Sequence, residues 1–113
     1  MSEVKSVFLE VMGNYPINRV LDFMANFDEF DYSLTDIAKF SRVGYATLQL
    51  FWKDLEKANI VTQTRVVGKA KMYRLNKKNP VVKNFVSMYW SLVKKKNIEY
   101  IKNLKKKVII KIL

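Results

Sequence analysis

The sequence predicts a mainly α-helical domain that carries one small β-hairpin, an α+β fold, and two patterns support this prediction. Apolar residues recur at spacings of three and four through most of the chain, which is the period of amphipathic helices. Residues 61–75 differ, because β-branched residues alternate with polar ones there and Gly68 interrupts them, as in two strands joined by a tight turn. Half of the 113 residues are hydrophobic and 13% are aromatic, which is enough for one small domain with its own core.

Two helices are predicted in the first 27 residues. The first covers residues 2–12 and ends at Gly13 and Asn14. Its apolar stripe consists of Val4, Val7, Phe8, Val11 and Met12. The second starts near Pro16, a residue that suits the first turn of a helix. Its expected buried residues are Ile17, Val20, Leu21, Met24 and Phe27, and the residues expected to face water are Asn18, Arg19, Asp22 and Asn26.

An acidic connector, residues 28–32, follows the second helix. Its aromatic residues Phe30 and Tyr32 are expected to cap the core. Its three carboxylates lack the glycine and the terminal glutamate of a calcium loop, so the connector is predicted to be a solvated turn and not a metal site.

Two helices separated by a tight turn are predicted between residues 33 and 58. Ser33 is a good N-cap for the first, with Asp36 three residues later as a weak capping box, and the turn falls at residues 41–44. The second helix covers residues 44–58, and its expected buried residues are Leu48, Phe51, Trp52 and Leu55. A different face carries Tyr45, Ala46, Gln49, Leu50 and Lys53. This arrangement is typical of a helix-turn-helix, whose second helix presents the side chains near its N-terminus to base edges.

The hairpin at residues 61–75 follows as a wing. Tyr73 and Leu75 share one face of its second strand and should pack on the core, with Lys71 and Arg74 on the outside. Basic residues near the tip, at about residues 65–71, have two interpretations. They contact phosphates or the minor groove, or they protect an exposed strand edge from aggregation.

The last part of the chain, from residue 79, is predicted to be helical and to form a homodimer. Asn79 and Pro80 are good helix-start residues. The residues expected to form the dimer contact are Val82, Phe85, Tyr89 and Leu92, because the apolar surface around them exceeds what one small domain needs. Residues 94–97 interrupt the pattern. Residues 98–113 then combine apolar positions with lysines, and this segment supports the dimer, lies on a membrane surface or forms a loose tail.

The charge of the chain is strongly asymmetric. Residues 1–68 hold 7 Lys+Arg and 9 Asp+Glu, a net charge of −2, whereas residues 69–113 hold 14 and 1, a net charge of +13. Such a distribution suits a polyanion that docks on one side of the molecule.

The composition also excludes several classes of function. The chain has no cysteine and no histidine, so we expect no metal, no cofactor and no disulfide. No nucleophile elbow, phosphate loop or paired-carboxylate spacing is present, and we therefore expect no enzyme activity. No apolar run approaches the length of a membrane span, so we expect a cytoplasmic protein.

Several of these motifs together resemble the winged helix-turn-helix regulators of the MarR/ArsR-like superfamily, and its archaeal members in particular. The similar stretches are Ile37-Ala38, Val43, Thr47-Leu48, the run from Leu55 to Val61, and the wing from Gly68 to Leu75. The resemblance spans about residues 16–90. It departs from the family at Arg42, where glycine is common, and at Gly44, where serine is common.

The helix-turn-helix and the resemblance together imply a sequence-specific double-stranded DNA-binding protein, a homodimeric transcription regulator. The expected base contacts are Tyr45, Ala46, Gln49 and Lys53, and the expected phosphate and wing contacts are Arg42, Thr47, Arg65, Lys69 and Lys71. The expected organisation is an N-terminal helix at 1–15, a winged helix-turn-helix domain at 16–78, and a helical dimerisation extension at 79–113. A winged-helix protein-interaction adaptor and a plasmid-partition or viral architectural protein are the alternatives.

Overall fold

The computed structural model describes residues 6–112, which form five helices and a three-stranded sheet. The elements are α1 (Val7–Met12), α2 (Pro16–Asn26), β1 (Tyr32–Ser33), α3 (Leu34–Ser41), α4 (Tyr45–Lys57), β2 (Val61–Val67), β3 (Ala70–Leu75) and α5 (Pro80–Ile112). The predicted mainly helical fold with a β-hairpin wing is therefore confirmed.

The core lies where the helices converge beneath the sheet. Its largest fully buried side chains come from four different helices and are Val20, Met24, Ile37, Leu48 and Val82. Tyr73 and Leu75 join them from β3, as the alternation in that strand predicted.

Helix α1 is shorter and less buried than the sequence predicted. Phe8 is its one buried residue, and the Phe8 ring contacts the rings of Phe85 and Tyr89 at centroid distances of 5.4 and 5.6 Å. Val11 and Met12 are exposed, so the prediction of a single apolar stripe is wrong for them, because a six-residue helix that rests on one side chain covers little area. Val4 lies outside the described residues.

Helix α2 turns a slightly different face to the core than its apolar spacing suggested. Phe23 and Ala25 are buried beside Val20 and Met24, whereas Ile17 and Phe27 at the two ends of the helix are exposed. The prediction that Asp22 faces water is also wrong. Its Oδ1 accepts hydrogen bonds from the Tyr89 hydroxyl, at 2.9 Å, and from the Ser6 hydroxyl. Burial, together with the bond to Asp22, raises the pKa of Tyr89.

The sheet contains a strand that the sequence did not reveal. Its order is β1–β3–β2 with antiparallel pairing, and Tyr32 and Ser33 of β1 pair with Tyr73 and Met72. The Tyr32 ring packs on Phe23 at a centroid distance of 4.8 Å, so this residue covers the core as expected. Phe30 does not, because its side chain is 65% exposed.

Helix α5 is continuous from Pro80 to Ile112 and runs through residues 94–97, where the apolar pattern is interrupted. Lysine is a good helix former, and neither proline nor glycine occurs after Pro80. A helix of 33 residues is about 50 Å long, which accounts for most of the 64 Å length of the molecule. Every described side chain from residue 94 onward is exposed. Among residues 6–112, no helix has the combination of length and apolar character needed to cross a membrane.

Candidate nucleic-acid interface

The turn between α3 and α4 is closed by backbone hydrogen bonds. Helix α3 begins at Ser33, whose hydroxyl accepts a hydrogen bond from the Asp36 N–H at 3.2 Å. At its other end the Val43 N–H donates to the Ala38 carbonyl at 2.9 Å, and the Arg42 N–H donates to the Lys39 carbonyl at 3.3 Å. These two bonds form a Schellman motif. Val43 is buried beneath the turn, which fixes the angle at which α4 leaves it.

Arg42 occupies the left-handed position of this motif, with φ 59° and ψ 42°. Glycine is the usual residue there, because a side chain strains this conformation. The Arg42 side chain is exposed, and its carbonyl accepts a hydrogen bond from Arg19 Nη2 at 3.5 Å. Arg19 Nη1 also donates to the carbonyl and to the side-chain oxygen of Asn14, at 3.2 Å each. Arg19, expected to face water, therefore connects the start of α2 to the turn.

One side of helix α4 is buried against the core, and the other side is exposed to solvent. Its inner side buries Leu48, Trp52 and Leu55. Successive residues of a helix are about 100° apart around its axis. Ala46 and Leu50 therefore lie on the side opposite the buried residues, and Lys53 lies next to them. All three are exposed, as is Gln49 on the adjoining flank. Tyr45, the first residue of the helix, is 46% exposed, and Thr47 is half-buried on the other flank.

The C-terminal end of α4 is fixed to the start of α5. Asn59 adopts a left-handed conformation, φ 57°, and the Ile60 N–H donates to the Leu55 carbonyl at 2.9 Å in a second Schellman motif. The Asn79 Nδ2 group donates to the carbonyls of Ala58 and Asn59 at 3.2 and 3.0 Å, and its Oδ1 accepts from the Val81 N–H at 2.9 Å. Because α4 is about 18 Å long, its N-terminal turn lies far from this junction.

The wing is a tight hairpin whose tip presents lysine to solvent. Val67 pairs with Ala70, so Gly68 and Lys69 form a two-residue turn. Gly68 has φ 62° and Lys69 does not share the positive φ, which fits a type II′ turn. A Cβ on Gly68 would meet nothing within 4 Å, so the backbone conformation, and not space, favours glycine there. Lys69 and Lys71 are both exposed.

Arg65 is held at the base of the wing by Asp31. Its Nε and Nη2 donate to the two carboxylate oxygens of Asp31 at 2.9 and 3.0 Å, and the Thr64 hydroxyl donates to Oδ2 as well. The strand register shifts between Gln63 and Arg65, and this bulge directs Thr64 and Arg65 together toward the connector. The Arg65 guanidinium therefore fastens β2 to the connector, a role that the sequence analysis did not assign.

The pairing of Asp31 predicts a change of stability in acid. The hydrogen bond from Arg65, followed by that from Thr64, lowers the pKa of Asp31 from 3.8 to about 2. Because the folded-state pKa is the lower one, the stabilisation is complete above pH 4 and is lost as the pH falls toward 2. We expect the wild type to be more stable than Asp31→Asn above pH 4, and the difference to shrink below it, as measured by urea unfolding across this range. Asp54→Asn, an exposed carboxylate on α4 without an ion pair in residues 6–112, is the matched control. A difference independent of pH would contradict the assignment.

The four residues assigned to the dimer contact lie against the core of the single chain. Val82 and Tyr89 are 1% and 4% exposed, and Phe85 and Leu92 are partly buried and pack on the same cluster. The uncovered apolar side chains of α5 are a different set, and those on one face are Trp90, Ile101, Leu104, Val108 and Ile112. Trp90 lies on the same face as the later residues of this set, because its spacings to them are sums of threes and fours. Four of the five lie in the segment 98–113, which the sequence pattern separated from the helix that begins at Pro80.

No group of three or more potential metal ligands occurs within residues 6–112. Two carboxylates near the candidate interface form ion pairs within the chain. Asp31 pairs with Arg65, and Asp28 pairs with Lys77 at 2.7 Å.

Comparison with known proteins relies on structure alone, because neither family models nor curated protein sequences give a match. The adhesin competence repressor AdcR from Streptococcus pyogenes is similar over 88% of this chain and 74% of its own, with a TM-score of 0.60 and 16% identity. MepR, a transcription regulator of the Staphylococcus aureus multidrug efflux pump MepA, is similar over 83% and 76%, with a TM-score of 0.52 and 18% identity. The chain has a winged helix-turn-helix fold.

In this winged helix-turn-helix, α3 and α4 are the two helices of the motif, and β2 and β3 form the wing. The predicted fold is confirmed, whereas the archaeal character of the resemblance stays a prediction. A similarity to Sso10a-2, a DNA-binding protein from Sulfolobus solfataricus, has a TM-score of 0.48 and 12% identity, over 80% of this chain and 92% of that one.

Proposed function

We propose that this protein binds double-stranded DNA sequence-specifically and acts as a homodimeric, cytoplasmic transcription regulator without enzyme activity. The main support is the geometry of α4, whose inner side is buried while its outer side carries Ala46, Gln49, Leu50 and Lys53 in contact with solvent. A helix with its side chains is about 10–12 Å across, which matches the major groove of about 12 Å.

In this proposal the base contacts come from the N-terminal half of α4. Gln49 supplies an amide that can pair with N6 and N7 of adenine, and Lys53 can donate to guanine. Tyr45 at the first position and Ala46 complete the surface. These residues lie in the N-terminal half of α4, away from the C-terminal junction that joins the helix to α5.

Phosphate contacts are assigned to groups on either side of α4. Arg42 precedes the helix, Thr47 lies in its first turn, and Lys69 and Lys71 extend from the wing. Arg65 is assigned a different role, because its guanidinium is held by Asp31 and instead orients the wing. The net charge of +13 in residues 69–113 adds attraction to the DNA as a whole.

We assign the dimer contact to the exposed stripe of α5, which consists of Trp90, Ile101, Leu104, Val108 and Ile112. The residues first assigned to this contact hold α5 on the core of its own chain. An apolar helix face of this length in water favours a second copy. On this basis residues 16–78 form the DNA-binding domain, and residues 79–113 both pack on that domain and form the dimer contact.

Selection of bound duplexes from a random pool at moderate salt tests the proposal. We expect an inverted repeat whose half-site centres are about 34 Å apart, or a multiple of this distance, as two-fold symmetry requires. A pool that shows no enrichment would contradict sequence-specific binding.

Alanine substitutions at Gln49 and Lys69 separate base reading from phosphate contact. Gln49→Ala should lose about 1–3 kcal/mol of discrimination at one base pair of each half-site. Lys69→Ala should weaken selected and random duplexes equally and reduce the salt slope by about one phosphate per subunit. Binding is measured by fluorescence anisotropy at several salt concentrations.

The matched controls are Asn84→Ala and Lys83→Ala, which remove an amide and an ammonium from exposed positions on α5. Lys83→Ala should weaken binding only through the net charge, and by less than Lys69→Ala, which also loses a direct phosphate contact. Both lie near the junction with α4 and away from its N-terminal turn. If Gln49→Ala and Lys69→Ala behave like these controls, the assignment of the binding surface is wrong.

A further inference from the structure

Leu50 has the highest exposure of the large apolar side chains in residues 6–112, at 81%. Its position matters more than its exposure, because single apolar residues on a surface are common. Leu50 lies about 200° around α4 from Leu48, which is fully buried, so it points directly away from the core. It is thus central on the side of α4 that the proposed function places in the groove.

The neighbours of Leu50 on this side form a short apolar strip with polar flanks. Ala46 precedes it by one turn on the same face, Lys53 follows three residues later, and Gln49 lies beside it. No side chain of the described chain covers this strip. A glutamine or lysine would support the helix equally well, so helix propensity does not account for leucine at this position.

We propose that Leu50 contacts the 5-methyl group of thymine in the major groove and is a specificity-determining residue. This inference rests on the proposed DNA-binding function. Base edges in the major groove are mostly hydrogen-bonding groups, and the thymine methyl is the apolar group among them. A leucine pressed against a polar edge would remove water from that edge without replacing its hydrogen bonds, which is unfavourable. Leu50 therefore favours thymine and disfavours cytosine at the same position.

The neighbouring Gln49 makes the inference more specific. An amide that pairs with adenine and an apolar side chain that contacts thymine recognise the two bases of an A·T pair. Gln49 and Leu50 are about 1.5 Å apart along the helix axis but about 100° apart around it, so they can reach neighbouring base pairs. Each half-site is therefore expected to contain at least one A·T pair.

Replacement of thymine by deoxyuridine tests this contact, because it removes the methyl group and leaves every hydrogen-bonding group in place. Each thymine of a selected half-site is replaced in turn, and the Kd is measured for wild type, Leu50→Ala and Leu50→Met. We expect one position at which deoxyuridine weakens the wild type about fourfold, the effect of one buried methyl group. Leu50→Met, which keeps an apolar side chain, should retain most of this loss, and Leu50→Ala should show none.

Ile110→Ala removes a comparable exposed aliphatic side chain from α5 and should retain the wild-type pattern. If wild type and Leu50→Ala respond alike at every thymine while both bind the selected duplex, the methyl contact is overturned and the proposed function stands. If no duplex is preferred by the wild type, the proposed function fails together with this inference. If Leu50→Ala changes the sedimentation coefficient of the free protein, Leu50 belongs to a protein contact and the inference is overturned.

Discussion

A chain that ends at Asn97 is expected to sediment as a monomer and to bind an inverted-repeat duplex about 10²–10⁴-fold more weakly than the full chain. The truncation removes four of the five residues of the exposed stripe, Ile101, Leu104, Val108 and Ile112, and leaves the buried residues of α5 intact. Two linked DNA-binding domains gain affinity of this order over one, because the second binding event is intramolecular. Sedimentation velocity and anisotropy on one-half-site and two-half-site duplexes measure the two effects.

The truncation also removes lysines, so two full-length variants separate apolar contact from charge. Ile101→Gln with Val108→Gln keeps every lysine but disrupts the stripe, and it should reproduce the monomer. Lys102→Gln with Lys106→Gln removes two charges that lie about 120° and 160° around the helix from the stripe, and it should remain a dimer with a smaller salt slope. A dimer that survives the first pair of substitutions would show that the stripe is not the contact.

Leu48→Ala should reduce the free energy of unfolding by about 2–5 kcal/mol, whereas Leu50→Ala should change it by less than about 0.5 kcal/mol. The two residues are of the same type and lie two positions apart on α4, but Leu48 is fully buried and Leu50 is the most exposed large apolar side chain in residues 6–112. The first substitution leaves a cavity among α2, α3 and α4, and the second removes surface that water already reaches. Urea unfolding gives both values from the midpoint and the slope.

This pair also tests the orientation of α4. The expected result is one variant that loses stability and another that keeps its stability but loses the response to deoxyuridine. Equal losses of stability would mean that both faces of α4 are covered, which would remove the surface on which the proposed function depends.

The sequence was sufficient to predict the buried side of α4 and the hairpin of the wing, because the patterns that indicate them are local. Leu48, Trp52 and Leu55 repeat with the helical period, and they are the buried side of the helix. Tyr73 and Leu75 alternate with polar neighbours, and Gly68 marks the turn. Ser33 was also identified correctly as the N-cap of α3.

Features that depend on contacts between distant segments were not predictable. Strand β1 has two residues, too few for a pattern, and exists because Tyr32 and Ser33 meet β3. The ion pair between Arg65 and Asp31 joins positions 34 residues apart and depends on a bulge. In α5, periodicity correctly grouped Val82, Phe85, Tyr89 and Leu92 on one face, but it cannot tell whether the same chain or a partner covers that face.

The central claim is that the outer side of α4 enters a DNA groove, and the absence of cysteine from the chain permits a direct test. Single cysteines are introduced at Ala46 on this side of α4 and, as a control, at Asn84 on α5, and their alkylation rates are measured with and without a bound selected duplex. We predict that DNA slows alkylation of the cysteine at position 46 by at least tenfold, as expected for burial in an interface, and leaves position 84 unchanged. Equal rates at position 46 in free protein and saturated complex would contradict the account.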